Sequence, residues 1–289
     1  MKAQLNQFIG CDRTYREADT VLFGAPYDST TSFRPGTRFG PAAMRSESFG
    51  IETYSPLQDL DLIDDARVFD AGDIELPFGA PAPALKLIER KAKKILKDGK
   101  LPFLIGGEHL VTLPAVRAAL AKHPNLVIFH FDAHADLRED YLGNPLSHAC
   151  VLRRCHDLVG DGRIFQFGIR SGTREEFQFM KAGHVITEPF ADTTLEQAIA
   201  SVAPDTPVYL TIDMDVLDPA EFPGTGTQEA GGFSYTQLVR DMRLICSRLN
   251  VVAMDNVELN PGLDHSGRST ALACKFLREC LLALAAKRR

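Results

Sequence analysis

Short apolar runs alternate with amphipathic segments along almost the whole chain, and this alternation restricts the possible folds more than any other feature of the sequence. In one amphipathic segment, Ala84–Lys97, apolar residues recur at the helical spacing while lysines occupy the other face. Strands that alternate with helices form a mainly parallel sheet covered by helices on both faces. The sequence therefore predicts an α/β fold.

The candidate strands are short, apolar and rich in β-branched residues, and the candidate helices lie between them. The strands are Thr20–Ala25, Arg67–Ala71, Leu101–Ile105, Leu126–Phe131, Arg163–Gly168, His184–Ile186, Pro207–Ile212 and Asn250–Met254. The helices include Ala84–Lys97, Leu110–Lys122, Thr173–Ala182, Leu195–Val202 and Ser234–Leu249. No flexible linker, low-complexity tract or internal repeat interrupts the series. Since α/β domains often exceed the usual size of about 150 residues, we predict one domain over residues 1–289.

The composition excludes several classes of protein. A formal net charge of −6 provides no basic surface for nucleic acid at the level of the whole chain. The apolar runs are shorter than the roughly 20 residues that a membrane span requires, and Met1–Gly10 lacks the apolar core of a signal peptide. Six scattered cysteines indicate reduced thiols rather than a disulfide framework. The sequence thus predicts a cytoplasmic protein that binds neither nucleic acid nor membrane.

Residues that commonly bind metal ions follow three of the candidate strands. The three sets are His109; Asp132, His134 and Asp136; and Asp213 and Asp215. Ligands of open parallel sheets bind beyond the carboxyl ends of the strands. Side chains two positions apart in extended backbone point to the same side, so we expect the members of each set to converge.

Four carboxylates that meet at one edge of a sheet need a counter-charge, because like charges in a low-dielectric site cannot all stay ionised. Two divalent cations balance them, whereas a single cation leaves two negative charges. Carboxylate and imidazole ligands without thiolate favour Mn²⁺ or a similar ion. Two ions about 3.5–4 Å apart lower the pKa of a shared water and supply hydroxide near neutral pH. We therefore predict two divalent cations per chain, two Mn²⁺ or two similar ions, and metal-assisted hydrolysis.

An Asp at a strand end is more often a helix cap or a turn residue than a metal ligand. Three sets that each close an apolar strand favour the metal site over this alternative. A zinc site of His148, Cys150, Cys155 and His156 is disfavoured, because structural zinc sites space their ligands differently. Cys150 is also a weak candidate nucleophile, since attack by hydroxide needs no covalent intermediate.

Three motifs resemble the signatures of the ureohydrolases, the arginase/agmatinase family of dinuclear manganese enzymes. They are Gly-Gly-Glu-His at 106–109, Phe-Asp-Ala-His-Ala-Asp at 131–136 and Thr-Ile-Asp-Met-Asp-Val-Leu-Asp-Pro-Ala at 211–220. The likeness runs from Phe23–Pro26 through Arg34–Gly36 to Val257–Pro261. It implies a single three-layer α/β/α domain around a mainly parallel sheet of about eight strands, the arginase-like fold, and a homo-oligomer, either a trimer or a hexamer.

The resemblance also implies a role for each ligand. One ion would bind His109, Asp132, Asp136 and Asp213, and the other would bind Asp132, His134, Asp213 and Asp215. Asp132 and Asp213 would then bridge the two ions, and Asp136 also counts among the catalytic residues. Glu108 and Asp218 also match family positions, but they would not bind the ions. At most they would hold the ligands or the local structure in place.

Two further catalytic residues follow from the resemblance. Glu258 matches the family glutamate that pairs with the substrate guanidinium, for which a carboxylate is suited. Its alternative role is a buried acid paired with an arginine. His148 matches the family histidine that passes a proton to the leaving amine, and an imidazole titrates in the appropriate range. Its alternative role is a histidine in a surface loop.

The substrate predicted within the family is the small guanidine agmatine. The stretch Leu137–Arg154 looks most like the bacterial agmatinases, and the Asn-containing loop with which arginases hold an α-amino acid is absent. Arg138 leaves guanidinobutyrase open, because it could bind a substrate carboxylate. It could equally pair with Glu139, Asp140 or a neighbouring subunit. Arginase and formiminoglutamase are further alternatives.

Two other classes of protein compete with this interpretation. Metal-dependent deacetylases share a related fold but use one zinc ion and fewer acidic ligands. Non-catalytic regulatory relatives typically lose one or more ligands. All six dinuclear positions are filled in this sequence, which favours the hydrolase.

Overall fold

A computed structural model of the chain describes residues 7–187 and 194–287. Within these ranges the strands are β1 (Thr20–Ala25), β2 (Tyr54–Ser55), β3 (Leu60–Asp61), β4 (Val68–Asp73), β5 (Leu101–Gly106), β6 (Val127–Phe131), β7 (Ile164–Phe167), β8 (Ile186–Thr187), β9 (Pro207–Asp213) and β10 (Asn250–Val257). The α-helices are α1 (Gly40–Glu47), α2 (Leu62–Asp65), α3 (Pro81–Lys97), α4 (Thr112–Lys122), α5 (Val151–Val159), α6 (Arg174–Lys181), α7 (Thr194–Ser201), α8 (Tyr235–Arg248) and α9 (Arg268–Ala286). Short 3-10 turns connect several of them.

Eight of these strands form one sheet in the order β4-β1-β5-β10-β9-β6-β7-β8. Every neighbouring pair in it is parallel. This confirms the predicted α/β class and all eight candidate strands. The largest differences are at β8, which lies at Ile186–Thr187 rather than His184–Ile186, and at β10, which continues to Val257. Among the described residues, β8 is an edge strand of this sheet and pairs with β7.

Alternate residues of each strand enter different hydrophobic cores on the two faces of the sheet. In β5, Phe103 and Ile105 pack into one core while Leu104 packs into the other. Helices α1, α8 and α9 contribute to the first core, and α3, α4 and α5 contribute to the second. The molecule is therefore the predicted three-layer α/β/α arrangement.

Several elements were not predicted from the periodicity. The small antiparallel hairpin of β2 and β3 has two residues in each strand, too few to show an alternation. Helix α9 is apolar on nearly all sides because it is buried, so it lacks the one-sided pattern of an amphipathic helix. Among the described residues, no helix is sufficiently long and apolar to cross a bilayer.

The order of the strands decides where the candidate site lies. Strands β5 and β6 follow one another in sequence, but β10 and β9 lie between them in the sheet. The carboxyl ends of these four parallel strands are therefore neighbours along one edge. This edge is where ligands of open α/β sheets bind.

Candidate metal centre

Four of the predicted ligands surround one point at this edge. His109 lies in a turn after β5, Asp132 directly follows β6, and Asp213 ends β9. The Nδ1 atom of His109 is 3.0 Å from Asp132 Oδ2 and 3.2 Å from both Asp136 Oδ2 and Asp213 Oδ2. These are the four residues that the resemblance assigns to one ion.

A second group adjoins the first and shares Asp132 with it. His134 Nδ1 is 3.0 Å from Asp215 Oδ2 and 3.5 Å from Asp132 Oδ1. Asp132 thus presents Oδ2 to the first group and Oδ1 to the second, as a bridging ligand would. Asp213 Oδ1 accepts the Asp215 N–H at 2.9 Å, which caps the turn that carries Asp215 and links the two groups through the main chain.

The spacing of the residues predicted that their side chains converge from extended backbone. The structure brings them together in a different way. Strand β6 ends at Phe131, and Asp136 reaches the centre in a left-handed conformation with φ 53°. Asp215 lies in the 3-10 turn Met214–Val216. Left-handed backbone costs free energy for a residue with a side chain, and such residues cluster at functional sites.

The residues present fit a pair of divalent cations. The Nδ1 atom of His109 is buried and, within the described residues, has no hydrogen-bond partner although three carboxylate oxygens surround it. Donor atoms that lie about 2.1 Å from one shared ion are themselves about 3 Å apart. Burial, then the charges of Asp215 and Asp132, raise the pKa of Asp213 well above its usual range. Bound cations would offset the repulsion between these buried carboxylates and stabilise their ionised forms.

A hydrogen-bonded chain behind His109 fixes which ring nitrogen faces the centre. Thr211 donates its hydroxyl proton to Asp255 Oδ1 at 2.6 Å and lies 3.0 Å from His109 Nε2. Thr211 therefore accepts from Nε2–H, and Nδ1 directs its lone pair at the carboxylates. Asp255 is fully buried and also accepts from Tyr209 and Thr112. Such outer partners orient metal-binding imidazoles.

His130, which the sequence analysis did not single out, supports Asp132 from within β6. The Gln166 amide donates to the Ala135 carbonyl at 2.8 Å, and the same nitrogen lies 3.0 Å from His130 Nδ1. His130 Nδ1 must then accept, so Nε2 carries the proton and donates to Asp132 Oδ2 at 2.8 Å. His130 thus orients Asp132 rather than binding an ion. The signal was present in the sequence, since a histidine inside an otherwise apolar strand needs a buried partner.

Glu258 and His148 lie beside the first group. Glu258 directly follows β10 with φ 67°, and its Oε1 accepts the His109 N–H at 2.8 Å. Its ionic neighbour among the described residues is His148, whose Nδ1 is 3.5 Å away, and not an arginine. His148 is only 8% exposed, so the alternative of a surface histidine is wrong.

A loop from the end of β1 holds His148 in place. The Ser32 N–H donates to His148 Nε2 at 3.0 Å, which leaves the ring proton on Nδ1, facing Glu258. The Thr30 hydroxyl accepts the His148 N–H at 3.2 Å and donates to Glu108. Glu108 also accepts the Thr30 N–H at 2.9 Å, and burial raises its pKa to about 7. Glu108 therefore anchors the loop, while Asp218 does the same for the chain near Gly231 and Gly232.

Arg138 uses none of the partners that the sequence offered within the chain. Its Nε lies 3.6 Å from Glu176 Oε2 in α6, and its guanidinium covers the Tyr141 ring at 5.2 Å. Glu139 instead pairs with Arg153 at 2.7 Å. Glu176 also accepts the Leu137 N–H at 2.8 Å and so fixes the chain directly after Asp136.

The cysteines take no part in the centre. All six are free and buried. Burial raises the pKa of Cys150 to about 11, which makes a nucleophilic thiolate unfavourable. Within the described residues, no group of candidate metal ligands includes a cysteine.

Comparison with known proteins gives one family over nearly the whole chain. A sequence model of the Arginase family matches residues 18–283. An agmatinase from Bacillus subtilis (strain 168) is 46% identical over 95% of this chain and 95% of its own length. A guanidinobutyrase from Pseudomonas aeruginosa is 36% identical over 92% of this chain and 86% of its own. The crystal structure of agmatine ureohydrolase of Thermoplasma volcanium is 33% identical, with a TM-score of 0.88 over 96% of this chain and 94% of that chain.

Proposed function

The chain belongs to the arginase family, and we propose that it hydrolyses agmatine with water to putrescine and urea. The observation that carries the proposal is the convergence of four buried aspartates and two histidines at neighbouring strand ends, beside Glu258 and His148. The relatives named agmatinase include sequences 46% identical over 95% of this chain. The activity is that of a ureohydrolase acting on an amidine.

The contacts that the Arg138 side chain already makes favour agmatine over guanidinobutyrate as the substrate. Guanidinobutyrate ends in a carboxylate, and Arg138 was the candidate in the sequence to bind it. That guanidinium already lies next to Glu176 and over Tyr141. The relative named guanidinobutyrase is also less similar, at 36% identity. An amine-ended substrate needs no such cation.

The metal ions would be held by the six residues that the sequence singled out. Asp132 and Asp213 would be shared, His109 and Asp136 would complete one position, and His134 and Asp215 the other. Oxygen and imidazole donors without thiolate support Mn²⁺ as the ion. When bound, the two ions lower the pKa of a water molecule and polarise the substrate.

The remaining side chains bind substrate and carry protons. Glu258 offers a carboxylate to the planar guanidinium and holds the carbon beside the centre. Water adds its oxygen to that carbon, the carbon–nitrogen bond to the aminobutyl chain breaks, and the leaving amine takes up a proton. His148 holds a proton at Nδ1, facing Glu258, and is placed to deliver it. Ser32 and Thr30 keep the ring in that orientation.

A panel of substrates tests the proposal. Protein reconstituted with Mn²⁺ should release urea from agmatine faster than from arginine or guanidinobutyrate. A preference for guanidinobutyrate would replace the proposed substrate within the family. Failure to release urea from any of the three, with both metal positions filled, would contradict the activity itself. Two ions per chain would also separate this enzyme from a deacetylase, which binds one.

The setting of the enzyme follows from the same reasoning. We propose that residues 1–289 form one domain, since a single sheet includes strands from Thr20 to Val257.

Six buried free thiols support a reducing, cytoplasmic environment, where putrescine production would serve polyamine biosynthesis. Apolar side chains exposed at Phe78 and Leu142 support a homo-oligomer, which we take to be a trimer or a hexamer. Light scattering on the purified protein measures this directly.

A further inference from the structure

Two histidines and an aspartate meet at a place in the molecule that the proposed reaction does not use. His156 Nε2 lies 2.7 Å from Asp161 Oδ1, and His184 Nδ1 lies 2.8 Å from the same oxygen. One potential ligand atom from each of the three residues lies within 4.8 Å of the other two. Two imidazole nitrogens and one carboxylate oxygen form a donor set that suits zinc and similar first-row divalent ions.

The backbone holds the three side chains together. His156 lies in the last turn of α5, which closes through the Gly160 N–H to the His156 carbonyl at 2.8 Å. Asp161 lies between Gly160 and Gly162, both left-handed. The Gly162 N–H donates to the His184 carbonyl at 3.2 Å, which ties the loop before β7 to the loop before β8. Residues from two connections are thus fixed against each other by a main-chain hydrogen bond.

Phe179 of α6 orders both imidazole rings. It stacks on His184 with centroids 4.3 Å apart and contacts His156 edge-on at 4.9 Å. The guanidinium of Arg153 lies 4.3 Å from the centre of the Phe179 ring. The carboxylate of Glu139, 2.7 Å from Arg153, offsets the charge of that guanidinium. Rings that are already oriented lose little conformational entropy when they bind an ion.

The electrostatic surroundings favour a cation. His156 is at the carboxyl-terminal end of α5, where the helix dipole places partial negative charge. The Asp161 carboxylate is open to solvent, so water can complete the coordination of an ion.

We propose that His156, Asp161 and His184 form a surface site for a zinc-like divalent ion, separate from the dinuclear centre. The connections that carry it precede β7 and β8, so it lies at the amino edge of the sheet. The dinuclear centre lies at the opposite, carboxyl edge. A bound ion would link α5 to the loop before the edge strand β8 and stabilise that side of the molecule.

Equilibrium dialysis against Zn²⁺, with both metals counted by elemental analysis, tests the site. The starting material is protein loaded with Mn²⁺, so that zinc taken up without loss of manganese reports on the surface site. The wild type should bind one more zinc per chain than His184→Ala. Asp161→Asn should weaken that binding by at least about tenfold, since removing even an outer partner of a ligand costs this much.

His265→Ala is the matched control, because His265 is an exposed histidine outside the groups of candidate ligands that the described residues form. It should take up as much zinc as the wild type. Equal zinc uptake by the wild type and His184→Ala would overturn the proposal, as would an equal loss in His265→Ala. Zinc taken up only as manganese is released would also overturn it. The melting temperatures of the manganese-loaded proteins, measured without zinc, show whether each variant is folded.

Discussion

The two edges of the sheet both gather imidazole and carboxylate groups, but they do so in different surroundings. At the carboxyl edge, His109 and Asp132 are fully buried and are backed by Thr211, Asp255 and His130. At the amino edge, the Asp161 side chain is 66% exposed and its partners are two histidines. Buried carboxylates require cations to stay together, whereas an exposed carboxylate is solvated by water. We therefore expect the buried carboxyl edge to depend on metal, whereas the exposed amino edge should be stable without it.

Replacing a shared ligand of the buried edge should give the largest effect. Asp132→Asn removes a charge from both metal positions, and metal ions contribute several kcal/mol to the stabilisation of such transition states. We expect kcat/KM for agmatine to fall at least about a thousandfold. Urea release and manganese content, measured on the same samples, check this. A variant that keeps two ions and loses less than about tenfold in rate would contradict the assignment.

Replacing His148 separates proton transfer from metal binding at the same edge. His148→Asn should lower kcat by about 10²–10⁴, the usual contribution of a general acid, with manganese content unchanged. Ser32→Ala is a milder control, because the Ser32 N–H that contacts Nε2 remains. If His148→Asn instead lost manganese, the residue would be supporting the metal centre and not the leaving amine.

The hydrogen bonds that connect His109 to Thr211 and Asp255 should control how tightly manganese binds. Asp255→Asn disturbs the acceptor of Thr211, Tyr209 and Thr112, and the loss of an outer partner typically weakens metal binding by about 10–100-fold. Manganese titration of the metal-free variant measures this, with near-UV circular dichroism to confirm its packing. Asp161→Asn, the same change at the amino edge, should leave manganese affinity as it is. Equal effects of the two substitutions would remove the distinction between the edges.

Zinc at the amino edge should produce the smallest effect, an increase in stability. At a free concentration about 100 times its Kd, a ligand of the native state stabilises it by about 2.7 kcal/mol. For a chain of this size that corresponds to a rise in melting temperature of roughly 5 °C. Calorimetry on manganese-loaded protein should show the rise in the wild type but not in His184→Ala. A rise of equal size in both would place the stabilising zinc elsewhere.

The eight strands, and the meeting of the proposed metal ligands at one edge, could be predicted from the sequence because they follow one rule. Each set of ligands directly follows an apolar strand, and parallel strands bring their carboxyl ends to one edge. Motif resemblance then added Glu258 and His148, which no local pattern distinguishes. The family and the fold predicted in this way are confirmed.

What the sequence did not reveal depends on contacts between distant segments. Thr211 lies within a predicted strand and Asp255 directly follows another, Asn250–Met254, and only the pairing of β9 with β10 brings the two residues together. His156 and His184 meet because β7 and β8 are neighbours. The sequence disfavours a zinc site of His156 with Cys150 and Cys155, and it offers no other partner for this histidine. In the structure both cysteines are buried in or beside α5, and His156 contacts Asp161. Spacing along the chain cannot show such pairings.

In the proposed mechanism, the hydrolysis of agmatine needs two ions held at the carboxyl edge of the sheet. Stepwise addition of Mn²⁺ to metal-free protein, with bound manganese and urea release measured at each step, tests this most directly. Activity should remain low while the first equivalent binds and should rise with the second. Full activity at one manganese per chain, or no urea from agmatine at two, would contradict the claim.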